Sequence, residues 1–147
     1  MQEITTDDRR NWMGLLARSG ADRLAELLPD LPDHSLLRAP EVGAVMVRGR
    51  TGATGAAFNL GEMTVTRCSL RLASGEVGHA YVQGRDRGHA TRAAVVDALM
   101  QGARAEVVRA GVLAPLAAEE TARRETRAAK AAATKVEFFT LVRGEDQ

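Results

Sequence analysis

The chain has 147 residues, enough for one domain that buries roughly 70% of the surface its unfolded chain exposes, so no covalent staple is required. Its 20 Lys and Arg against 19 Asp and Glu leave a formal charge of +1, and aromatics are 3%, which argues against a nucleic-acid binder or a docker on anionic membranes. The single cysteine, Cys68, excludes an internal disulfide, and no apolar run reaches the length of a membrane span, so a soluble protein of the reducing cytoplasm is expected.

The first residues, MQEITTDDRR, are polar and acidic, unlike the basic and then apolar start of a secretory signal. Thr5 and Asp8 stand at capping-box spacing, and Trp12, Leu15 and Leu16 follow three and four apart, which predicts an amphipathic helix. Ser19 and Asp22 repeat the cap spacing around Gly20. Leu24, Leu27 and Leu28 then predict a second short helix, stopped by Pro29 and Pro32, so the N-terminal helices lie within residues 5–28.

From residue 35 to 83 the period becomes two, and glycines separate the runs Val42 to Val47, Phe58 to Leu60, Met63 to Leu72 and Val77 to Val82. This pattern predicts an antiparallel β-meander. Ala73-Ser74-Gly75-Glu76 suits a tight hairpin, and Gly61-Glu62 a bend or bulge. The residues Thr64, Thr66, Cys68, Leu70 and Leu72 share one face of their strand.

Residues 86–135 carry helical signals. His89, Ala93, Val96 and Met100 form a stripe, Gly102 interrupts it, and Gly111 and Pro115 predict a further break. Residues 117–134 are rich in alanine, arginine and glutamate and poor in large apolar side chains. The segment 136–144 opens with Val-Glu-Phe-Phe-Thr-Leu-Val, an apolar cluster suited either to a further strand or to docking on a partner. With no repeat and no long linker, residues 1–147 read as a single α+β domain: a meander packed with N-terminal and C-terminal helices.

Between the last strand-like run and the first long helix lies GRDRGHA. Asp86 suits the N-cap, with its carboxylate on the amide of Gly88 or His89. The rival reading places Arg85, Arg87 and the helix amides around a phosphate, with His89 as a proton carrier held near neutral. Arg85, Asp86, Arg87 and His89 are therefore the candidates for contact with a substrate or with another subunit. The glycine-rich Gly49–Gly55 lacks the Gly-Lys-Ser/Thr ending of a P-loop and reads as a hairpin loop. His34 and His79 have no ligand-spaced partner, so no metal site is expected. No Ser, His and Asp set announces a nucleophile, and a domain without a complete site but with spare helical surface reads as a subunit.

Several fragments in order resemble the PhnG family, the G subunit of the bacterial carbon-phosphorus lyase system. They are RRNWMGLLARS, LRAPEVG, TGATG, FNLGEMTVTR, RLASGEVGHAYVQGRD, AAVVDALMQ, PLAAE and ATKVEFFTLVRG. The resemblance implies a partnership with the H, I and J subunits of a core complex, closest to the I subunit, and a functional link to the L protein. It also implies a shared reaction in which an alkylphosphonate displaces adenine from the ribose C1 of ATP, with MgATP as substrate of the assembly and no cofactor in this chain. The sequence departs from the family pattern at His79, where an aromatic residue is usual. Arg85, Asp86 and His89 match it.

Overall fold

A computed structural model of the chain describes residues 3–144, with side chains described as far as residue 135 apart from that of residue 53. In chain order, helices α1 (Thr6–Arg18) and α2 (Ala21–Leu27) lead into strands β1 (His34–Arg50), β2 (Ala57–Leu72) and β3 (Val77–Gln83). Helix α3 (Arg87–Leu99), the short α4 (Ala105–Val108) and the long α5 (Ala114–Gly144) follow. The sheet is a three-stranded antiparallel meander in the order β1-β2-β3. The α+β expectation therefore holds.

Local chemistry fixes the element ends. The amide of Asp8 donates to Thr5 Oγ1 at 3.1 Å and the Thr5 amide to Asp8 Oδ2 at 3.3 Å, so the capping box forms as its spacing predicts. The second cap does not. Helix α2 starts at Gly20 without a side-chain cap, because the Ser19 hydroxyl turns back to donate to the Leu16 carbonyl at 2.8 Å. The β2–β3 hairpin falls on Ala73–Glu76, where Gly75 adopts φ +109° and its amide donates to the Leu72 carbonyl at 2.9 Å.

β2 carries the core on its even residues. Thr66, Cys68, Leu70 and Leu72 are buried, whereas Arg67 and Arg71 are exposed. Helix α3 lies over this face. Instead of a single stripe, α3 buries His89, Ala90 and every residue from Ala93 to Leu99, because the sheet covers one side and α1 and α2 the other. Its small side chains, Ala90, Ala93, Ala94 and Ala98, let it approach closely. A Cβ built on Gly78 of β3 would collide with the Ala94 carbonyl and come within 2.8 Å of the Ala98 amide nitrogen. Leu16, Leu24 and Leu70 fill the remaining space with at most 2% exposure, each contributing about 1.5–3 kcal/mol of burial.

Two pieces leave this body. β3 pairs with β2 only from Val65 to Arg71, so β1 and β2 continue as a two-stranded ribbon. The ribbon turns at the 3-10 segment Thr51–Ala53, with Gly52 at φ +55°. The bulge expected at Gly61-Glu62 lies one residue earlier: Val47 pairs with Gly61 and Arg48 with Asn59, which leaves Leu60 unpaired. Met46, Phe58 and Leu60 are exposed there.

The second piece is α5. Gly111 and Pro115 do not break the helix as the sequence predicts; the chain passes through a π-helical turn, Arg109–Leu113, and continues. A proline clashes with the carbonyl four residues earlier, here that of Gly111, and a π turn is the local widening that relieves such a clash. The 31 residues of α5 span about 46 Å. Its backbone stays helical through Gly144, so the strand considered for 136–142 does not form, and the docking expected of those side chains lies outside the described residues.

Candidate functional site

The bend after β3 is built around Gly84, at φ +92°, whose amide and carbonyl both hold it to β2: the amide donates to the Thr64 carbonyl at 2.9 Å, and the carbonyl accepts the Thr66 hydroxyl at 2.7 Å. The backbone then turns into α3, and Asp86 caps it by accepting the His89 amide at 2.9 Å. Arg85 and Arg87 flank this cap, both exposed, and neither pairs with a carboxylate among the described residues. The bend thus presents two free guanidiniums beside the positive end of a helix.

His89 sits elsewhere. It is 4% exposed, with Nε2 at 2.9 Å from the Leu16 carbonyl and 3.2 Å from Ser19 Oγ. A carbonyl only accepts, so Nε2 carries the proton and the imidazole clips the start of α3 to the end of α1. Burial holds its pKa below the ordinary histidine value, opposed by the Leu16 hydrogen bond and by Asp86. The cap and the two arginines therefore face solvent, while the histidine three residues on faces the core.

The residue that sequence reasoning missed is Asp97. Its carboxylate is fully buried and accepts four hydrogen bonds. Oδ1 takes Arg9 Nε at 3.1 Å and Trp12 Nε1 at 2.9 Å; Oδ2 takes Arg9 Nη2 at 2.7 Å and the His79 amide at 2.8 Å. One side chain of α3 thereby fixes α1 and β3. The signal was present: Asp97 is the one charged residue between Arg92 and Arg104. A carboxylate held by this many donors is immobile, which suits a strut.

The remaining polar groups are scattered. His79 Nδ1 lies 2.8 Å from Ser69 Oγ across the strand pair on the exposed face. Farther along that face Arg67 donates to Glu41 at 3.2 and 3.3 Å, beside Tyr81, over a shallow depression of about 180 Å³. The pair holds the Glu41 carboxyl below its ordinary range. Burial raises the Cys68 thiol above its ordinary value, which suppresses the nucleophilic thiolate. His34 Nδ1 donates to the Pro32 carbonyl at 2.8 Å. Among the described residues no three His, Cys, Asp or Glu side chains gather at metal-binding distance.

What the fold and these groups define is a small α+β protein with two exposed arginines at a capped helix start and no converged set of reactive side chains among the described residues. The family model for the phosphonate metabolism protein PhnG matches residues 7–144. The chain belongs to this family. It is 43% identical, over 150 aligned residues covering 97% of this chain and 96% of the relative, to the alpha-D-ribose 1-methylphosphonate 5-triphosphate synthase subunit PhnG of Rhizobium meliloti (strain 1021).

Proposed function

We propose that this chain is the G subunit of an alpha-D-ribose 1-methylphosphonate 5-triphosphate synthase and serves that enzyme by assembly, without running the reaction itself. The observation that carries the reading is a conjunction: near full-length similarity to a relative named as such a subunit, in a chain where Asp86 caps a helix, Asp97 and His89 brace the core and Glu41 pairs with Arg67. In the reaction an alkylphosphonate displaces adenine from the ribose C1 of MgATP in the cytoplasm. The chain's companions are the H, I and J subunits, the I subunit closest, with the L protein acting alongside.

The test is omission. Mixtures of the I, H and L proteins with MgATP and methylphosphonate release adenine when this chain is supplied and lose that activity when it is left out. Full activity without it sinks the proposal.

A second reading is favoured by one feature, the two exposed arginines at the capped start of α3. In the assembly, Arg85 and Arg87 form part of a wall that receives the triphosphate or the phosphonate. A charged hydrogen bond of this kind, once desolvated, contributes about 1.5 to 3 kcal/mol. Asp86 and His89 act there as positioning residues: the first sets the helix start and the second anchors it to α1.

A further inference from the structure

The sequence of α5 mixes both charges, and its acids dilute its cations. The structure separates them. Glu119 accepts Arg23 Nε at 2.7 Å, and Glu120 accepts Arg18 at 3.0 and 3.1 Å, so both acids at the base of α5 are turned onto α1 and α2. Beyond them, residues 121–135 are exposed on every side. This stretch, about 22 Å long at the helical rise, carries five cations, Arg123, Arg124, Arg127, Lys130 and Lys135, against the single acid Glu125. Arg124 reaches back to Glu120 at 3.1 Å. Arg123, Arg127 and Lys130 stand at positions i, i+4 and i+7, on one face, and pair with no carboxylate among the described residues.

We propose that this stripe, Arg123–Arg127–Lys130, is a docking surface for a partner protein that presents a row of carboxylates. The inference rests on the subunit reading above and deepens it by naming the face and the partner's chemistry. A helix exposed all round and lacking large apolar side chains has no packing to hold it against its own body, so its use lies in contact with another molecule. Charge complementarity selects an acidic partner. Alanines 122, 129 and 133 recur on the adjoining face, and Ala122 and Thr126 border the cations on an open, nearly flat surface. Small side chains there let a partner helix approach while the guanidiniums fork onto its acids. A nucleic-acid backbone fits less well. The stretch has no aromatic residue for base stacking, and the chain as a whole, at +1, adds no flanking positive field.

The experiment compares the full-length chain with R123E/R127E/K130E and with R104E, which reverses an exposed cation outside the stripe. Each is mixed with the remaining synthase subunits at 50 and 500 mM salt, and separately with a 20-nucleotide single-stranded DNA. Thermal melting establishes that every variant is folded. Expected results are capture of wild type and R104E that weakens about tenfold or more with salt, and loss of capture by about a hundredfold in the triple variant. Undiminished capture of the folded triple variant overturns the stripe while leaving the subunit reading in place. Failure of the wild-type chain to join the other subunits overturns both. Salt-sensitive DNA binding that the triple variant loses while subunit capture is unchanged assigns the stripe to nucleic acid instead.

Discussion

The indole N–H of Trp12 donates to the buried carboxylate of Asp97 at 2.9 Å, joining the first helix to the third across 85 positions of sequence. With Arg9 forking onto the same carboxylate and the His79 amide completing it, three elements share one anion. Asp97→Ala takes the acceptor away from Arg9, Trp12 and the His79 amide. Because Arg9 is partly exposed and can turn to water, the loss comes mainly from the buried donors left without an acceptor, about 1–3 kcal/mol, a sizeable share of the 5–15 kcal/mol typical of a domain. Urea unfolding followed by the fluorescence of Trp12, the single tryptophan, measures it. A loss below about 1 kcal/mol contradicts the strut.

Gly78 faces the backbone of α3 with no space for a methyl group. Gly78→Ala must push α3 away from β3, and because the obstacle is backbone, the loss falls at the upper end of the 1–3 kcal/mol typical of overpacking. Gly43, with nothing within 4 Å of its would-be Cβ, is the control, and Gly43→Ala stays within about 0.5 kcal/mol. Thermal denaturation of the two variants should separate them by several degrees; equal melting points contradict the close approach.

Burial lowers the pKa of His89 in the fold, while the unfolded chain takes up its proton near the ordinary histidine value. The unfolded state then binds more protons below about pH 6.5, so this contribution is complete above that pH and declines as pH falls toward the lowered folded value. Wild-type urea midpoints should drop between pH 7.5 and 5.5. His89→Gln, whose amide can still donate to the Leu16 carbonyl, should flatten that drop. The carboxyl groups of Asp8, Glu41, Glu76 and Glu120, all held below their ordinary range, titrate at lower pH and leave this window clear. An unchanged slope in the variant contradicts the assignment.

Arg85 makes no ion pair among the described residues, so Arg85→Ala leaves the isolated fold within about 0.5 kcal/mol of wild type. On the reading in which Arg85 receives the triphosphate or the phosphonate, the same change in the assembled synthase lowers adenine release about ten- to hundredfold with assembly intact, measured by gel filtration and by adenine chromatography on the same sample. Loss of assembly places Arg85 in a subunit contact; no effect on either readout removes it from the site.

The elements set by neighbours in sequence were legible: the capping box of Thr5 and Asp8, the period-two face of Thr66, Cys68 and Leu70, the hairpin at Gly75, and the cap at Asp86. Each depends on contacts within a few residues. Features decided at long range were not. The lone charge of Asp97 in an apolar run marks the residue, but nothing local names the arginine and the tryptophan 85 to 88 positions away that cover it. Ser19 looked like a cap and instead serves the Leu16 carbonyl beside His89, a position that exists only once α3 has packed. Gly111 and Pro115 read as a break because the compensating π turn has no sequence signature of its own. In sequence the acids of α5 dilute its cations; only the fold shows that Glu119 and Glu120 are taken up by Arg23 and Arg18.

The central claim is that the reactive groups of this synthase lie outside this chain. The most direct measurement incubates the purified chain alone with MgATP and methylphosphonate and follows free adenine over many hours, with the reconstituted subunits as the positive control. The account predicts no adenine above the buffer blank from the chain alone and steady release from the mixture. Turnover by the chain alone contradicts it.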